Sequence, residues 1–135
     1  MIKFTDDYLC GIFLIDEQHK ILCSIVNRLF EHSQDIEEYY KEILLDLENY
    51  TRYHFASEEA FWGENSPLDV EEHVKQHNGF ISIVESSMEN QEFDKKRFDE
   101  FIEFLVQWLE IHIKVEDKKM LRSKSHLVTS DNDER

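Results

Sequence analysis

The sequence predicts an all-α fold, an up-down-up-down four-helix bundle preceded by an extended N-terminal arm. Two observations carry that prediction. Turn-formers are scarce, with 3 Gly and 1 Pro in 135 residues, and a β-sandwich or barrel needs many tight turns. Four long segments also repeat apolar residues every three or four positions, the period of one helical face. The 41% hydrophobic and 13% aromatic content suffices for a buried core, and the length is that of one domain.

Each element follows in order. Residues 1–15 read as an extended arm with Gly11 as its bend. Asp16 stands where an N-cap belongs, ahead of a periodic run to about Ser33. A second helix spans about 36–62, and Gly63-Glu64-Asn65-Ser66-Pro67 reads as the clearest loop in the chain. A third covers about 68–90. The fourth opens at Asp94 or a neighbour and reaches about Leu121. Short connections between four such helices give the bundle. The last stretch, 122–135, has little apolar content. It is expected to be a disordered polar tail, dispensable for folding, which leaves 1–121 as the domain.

The formal charge of −15, from 30 acidic against 15 basic residues, repels phosphate backbones and anionic lipid and concentrates cations. Nucleic-acid and membrane partners are therefore disfavoured. No apolar run approaches the length of a membrane span. The first seven residues carry Asp6 and Asp7 where a signal peptide is apolar. Two cysteines, Cys10 and Cys23, are too few for a disulfide framework and fit a reducing, cytoplasmic setting. With no basic neighbour to lower their pKa, both read as unreactive thiols.

Polar residues interrupt the apolar stripes in a regular way. The second helix carries Tyr40, Ile43, Leu47, Tyr50, His54, Glu58 and Phe61 on one face. The third carries Val70, His73, His77, Phe80, Val84 and Met88, and the fourth Phe98, Phe101, Leu105, Trp108 and His112. On the first helix His19 shares its face with Leu22, Val26 and Phe30. A single histidine on an apolar face is ordinarily a hydrogen-bonded core residue. Five of 7 histidines on four inward faces, with a carboxylate among them, make a different pattern. Such groups are costly to bury uncompensated. A metal takes up their lone pairs and negative charge, and the mixture of imidazole and carboxylate suits iron, zinc or manganese rather than calcium. Spacings of four, His73 to His77 and His54 to Glu58, let two side chains reach one centre. The zinc-peptidase motif is absent, since Val74-Lys75-Gln76 separates His73 from His77. Paired Glu-x-x-His motifs of ferritin-like oxidases are absent too.

Four stretches carry a resemblance to a known family. They are Gly11-Ile12-Phe13-Leu14-Ile15-Asp16-Glu17-Gln18-His19, His54-Phe55-Ala56-Ser57-Glu58-Glu59, His73-Val74-Lys75-Gln76-His77, and Trp108-Leu109-Glu110-Ile111-His112-Ile113-Lys114-Val115-Glu116-Asp117. In these the chain resembles the hemerythrins, specifically the short single-domain bacterial kind, from about Phe4 to Leu121. The resemblance implies two iron ions (Fe2+/Fe3+). His73, His77 and His112 would hold one and His19 and His54 the other. Glu58 and Asp117 would bridge them beside an oxo or hydroxo group. Five imidazoles, two bridging carboxylates and that shared group leave one vacant position on two six-coordinate irons, on the iron with two histidines.

One of these residues is not what regular helix geometry selects. His112 to Asp117 is a step of five, about 140° off-face, and Glu116 at a step of four is the geometric choice. A π-bulge would bring Asp117 into line, and the family pattern names Asp117. The chain departs from its relatives at Phe4, where Trp is usual, at Trp62, where Met is usual, and at Met120, where many have Tyr. None of the three is a ligand. Leu22, Trp62, Trp108, Leu109 and Ile113 are expected to wall the ligand pocket.

The implied function is reversible O2 binding for storage, delivery or supply, by a monomer that is not an enzyme. A sensor or scavenger of O2 or nitric oxide acting through a separate partner is the alternative, with a peroxide- or iron-related enzyme as a third.

Overall fold

The computed structural model describes residues 1–65, 70–89 and 92–117, with the side chains of 62–65 excepted. Among the described residues there are four helices and no strand: α1 (Phe13–Glu31), α2 (Ile36–Asn65), α3 (Val70–Glu89) and α4 (Lys95–Ile111). A 3-10 turn (Asp6–Tyr8) precedes them, and a π-helical turn (His112–Asp117) continues α4. The chain is thus an all-α four-helix bundle.

Side-chain pairs across the helices fix the topology. Arg28 meets Asp46 at 2.8 Å while His19 meets His54 further along, so α1 and α2 run antiparallel. Arg52 with Glu85 and Glu59 with His77 set the same relation for α2 and α3. Phe80 with Trp108 and His77 with His112 set it for α3 and α4. One half of the interior is hydrocarbon: Leu22, Val26, Leu29, Ile43, Leu44, Leu47, Val84 and Leu105 are all essentially inaccessible. Each such side chain stabilises the fold by about 1.5–3 kcal/mol through burial. Tyr40, Phe93 and Phe98 close that end as a triangle of rings, with centroids 5.2–5.6 Å apart. No helix among the described residues is long and apolar enough to cross a membrane.

Several boundaries differ from the sequence expectation. The N-cap of α1 is Ile12, and Asp16 lies within the first turn, 7% exposed. Its carboxylate accepts from the backbone N–H groups of Cys10 (2.8 Å) and Gly11 (3.3 Å). Asp16 therefore ties down the arm, which turns at Gly11 with φ +92, a conformation glycine adopts without steric cost. The arm is also less extended than expected. Its 3-10 turn buries Tyr8, and Ile2 is held by Asn27 through both backbone groups, at 2.7 and 2.8 Å.

Helix α2 continues through Gly63, Glu64 and Asn65, so the first half of the expected loop is helical; a single glycine costs a helix only about 1 kcal/mol. Ser66 and Pro67 lie outside the described residues, as do Leu68 and Asn90 at the expected ends of α3. Asp94 caps α4 as expected, accepting from the N–H groups of Lys96 and Arg97. The expected end near Leu121, Met120 and the 122–135 tail lie outside the described residues.

Candidate metal centre

Beyond the hydrocarbon half, the same inward faces turn polar. Thr51 marks the transition on α2: it is inaccessible, and its hydroxyl donates back to the Leu47 carbonyl at 2.7 Å, as buried hydroxyls must. One turn later come His54 and then Glu58, both inaccessible. His73 and His77 arrive from α3, His19 from α1, and His112 and Asp117 from the end of α4; none exceeds 2% exposure. The seven side chains gather into two sets with ligand atoms mutually within 4.8 Å: His73, His77 and His112 in one, His19, His54, Glu58 and Asp117 in the other.

Both carboxylates reach across the two sets. Asp117 Oδ1 lies 3.3 Å from His73 Nε2 and 3.1 Å from His112 Nε2, while its Oδ2 lies 2.8 Å from His19 Nε2. Glu58 Oε1 lies 3.0 Å from His54 Nε2, 3.2 Å from His112 Nε2 and 3.5 Å from His77 Nε2. Asp117 attains this position because the backbone opens into a π-turn over His112–Asp117. Its wider, i→i+5 hydrogen bonding brings the fifth residue back beneath the first. Glu116, the choice of regular geometry, stays partly exposed and outside both sets.

Aromatic rings fix the imidazole planes of the three-histidine set. Phe55 stacks on His77 at 3.8 Å with an interplanar angle of 4°, and Trp108 stacks on His112 at 4.5 Å and 17°. Leu22, Leu109 and Ile113 are completely buried, each within three residues of His19 or His112. Trp62 lies in α2, but its side chain is outside the described residues.

Electrostatics tie the groups together. Burial and the neighbouring His112 push His77 down to about 2, so this imidazole is neutral. Burial works to raise Glu58, yet His54 and His112 outweigh it and hold the carboxyl well below its usual range. Burial likewise works to lower His112, but the Asp117 and Glu58 carboxylates prevail and raise it. Burial and the adjacent Glu58 carboxylate raise Glu59.

The cluster is not satisfied by its own hydrogen bonds. His19 Nδ1 and Nε2, His54 Nε2, Glu58 Oε2, His112 Nδ1 and Asp117 Oδ2 are buried without one, and His77 Nε2 faces His112 Nε2 at 3.3 Å. Converging nitrogen lone pairs and carboxylate oxygens in a dry interior are the donor set of a transition-metal site. The residues present fit cations.

Three further residues, to which the sequence pattern assigned no role, hold the cluster from outside. Gln18 Oε1 accepts from His54 Nδ1 at 2.6 Å, and Glu59 Oε2 accepts from His77 Nδ1 at 2.9 Å. Ser57 in turn bonds Gln18. Their one signal is adjacency, since Gln18, Ser57 and Glu59 each neighbour His19 or Glu58 in the chain.

The comparisons with known proteins agree with this geometry. Residues 10–122 match the hemerythrin HHE cation binding domain. A bacteriohemerythrin of Clostridium acetobutylicum is 27% identical over 128 residues, spanning 90% of this chain and 99% of the relative. One from Pseudomonas aeruginosa is 30% identical over 126 residues, 93% of this chain and 82% of the relative. One from Stenotrophomonas maltophilia is 27% identical over 129 residues, covering 94% and 84%. With the domain match spanning most of its length and two sets of side chains that could hold metal ions gathered in its interior, the chain belongs to the hemerythrin family.

Proposed function

We propose that this protein binds O2 reversibly at a carboxylate-bridged di-iron centre and is not an enzyme. His73, His77 and His112 would hold one iron and His19 and His54 the other, with the Glu58 and Asp117 carboxylates, which reach both sets, shared between them. Such a centre, when bound, supplies an open coordination position and the electrons for reversible O2 uptake. The protein orients the donors and excludes water. Leu22, Leu109 and Ile113, all inaccessible, and Trp108 against His112 form the apolar wall on the described side.

A single observation carries the choice of binding over turnover: among the described residues, the buried polar side chains outside the seven already have hydrogen-bond partners. Among the described residues, the buried polar side chains other than the seven are Asp16, Gln18 and Thr51. Asp16 is committed to the arm, Gln18 to His54 and Thr51 to its own helix. Among the described residues no buried acid or base is left to act on a bound molecule, and the buried Cys23 thiol is held protonated, its pKa pushed up to about 12.

The test is anaerobic reconstitution with Fe(II), iron counting, then visible spectra through cycles of O2 addition and removal. Two irons per chain and a spectrum that appears and disappears with O2 are expected. One iron per chain, or irreversible oxidation in the first cycle, overturns the reading. Rapid loss of the oxygenated spectrum with fast consumption of nitric oxide would instead favour a sensor or scavenger.

A further inference from the structure

The two sets of histidines are backed by chemically different partners. Behind the three-histidine set, the His77 Nδ1–H donates to the Glu59 carboxylate at 2.9 Å. Behind the two-histidine set, the His54 Nδ1–H donates to the Gln18 amide oxygen at 2.6 Å. One acceptor is an anion and the other is neutral.

The amide is held in one orientation. Gln18 is 2% exposed, and its Nε2 donates to Ser57 Oγ at 3.3 Å. The Ser57 hydroxyl proton is committed to the Tyr53 carbonyl at 3.0 Å. Its oxygen can therefore only accept from Gln18, which turns the amide NH2 toward Ser57 and the amide oxygen toward His54. A backbone carbonyl thus sets the direction of the whole relay. His54 is left with its proton on Nδ1 and its Nε2 lone pair toward Glu58 Oε1, 3.0 Å away. Glu59 reaches His77 for a simpler reason. Successive residues of a helix point about 100° apart, so Glu58 enters the core while Glu59 lies along the seam with α3.

A carboxylate accepting the outer N–H of a ligating imidazole raises its basicity; a neutral amide fixes the ring but donates less. We propose that Glu59 and Gln18 are positioning residues that make the two metal positions unequal: the anion behind His77 gives the three-histidine position the tighter grip, and the amide behind His54 leaves the two-histidine position the weaker one. The three-histidine position accordingly fills first and empties last. This rests on the two-metal reading above.

The experiment is an anaerobic titration of the full chain with Co(II) against a competing chelator. The two steps are assigned with His73→Ala and His54→Ala. Glu59→Gln should weaken the first step by about 10–100-fold, the usual effect of losing such an outer partner, and leave the second unchanged. Gln18→Leu should weaken only the second step, and Gln18→Glu should tighten it. In the iron-loaded protein Glu59→Gln should raise the reduction potential and Gln18→Glu should lower it, which a merely structural role does not require.

If Glu59→Gln weakens both steps alike, or Gln18→Glu fails to tighten the second, the inference is wrong while the two-metal reading stands. A wild-type uptake below two Co(II) overturns that reading, and this inference with it. Gln18 and Glu59 test the same rule on opposite positions, so a variant that fails to fold leaves the other decisive.

Discussion

Removing the metal should cost this protein a large part of its stability. Four atoms that face the interior of the two sets lack a hydrogen bond of their own: His19 Nε2, His54 Nε2, Glu58 Oε2 and Asp117 Oδ2. A buried unsatisfied polar atom costs about 1–3 kcal/mol, so the four together cost about 4–12 kcal/mol. His19 Nε2 lies 2.8 Å from a carboxylate oxygen, and attraction there returns part of that cost. The lower end, about 4 kcal/mol, is therefore the figure to test. It is large beside the total of about 5–15 kcal/mol typical of a folded domain. At roughly 3 °C per kcal/mol for a chain of this size, the metal-free form should melt about 12 °C below the loaded one. The assay is thermal melting by circular dichroism on chelated protein and on protein reconstituted with Fe(II) under anaerobic conditions or with redox-inert Zn(II). A difference below about 3 °C would refute the reasoning, because roughly 1 kcal/mol cannot reflect four relieved atoms.

Two further predictions concern single residues. Asp117→Ala should lose metal, because this carboxylate faces His19, His73 and His112, whereas Glu116→Ala should keep a full metal content; metal analysis of the two variants reverses the assignment if the outcomes are exchanged. Burial pushes both the Cys10 and the Cys23 thiols up to about 12, so a thiolate-specific reagent at pH 8 should label neither in the native protein and both after denaturation. Because these folded pKa values lie above the usual thiol value, the native state favours the protonated thiols. That contribution is complete below about pH 8.5, the ordinary thiol pKa, and fades as pH climbs toward 12; labelling of either cysteine at neutral pH counts against this account.

What the sequence determined by itself is what depends on spacing along one helix. Inward faces follow from a period near 3.6, so His54 with Glu58, and His73 with His77, were legible as pairs before any helix had a neighbour. The near-absence of glycine and proline fixed the all-helical class in the same local way. The tertiary structure decided whatever depends on how one segment meets another or on a departure from ideal helix. Periodicity along the fourth helix favours Glu116; only the π-turn over His112–Asp117 puts Asp117 among the histidines. Asp16 has the composition of an N-cap, yet the helix starts earlier because its carboxylate is claimed by the backbone of the arm folded against it. The partners of His54 and His77 are 36 and 18 residues away along the chain. Their identity depends on the register in which α2 slides against α1 and α3. Register is set by packing of the whole apolar interior, and no local pattern encodes it.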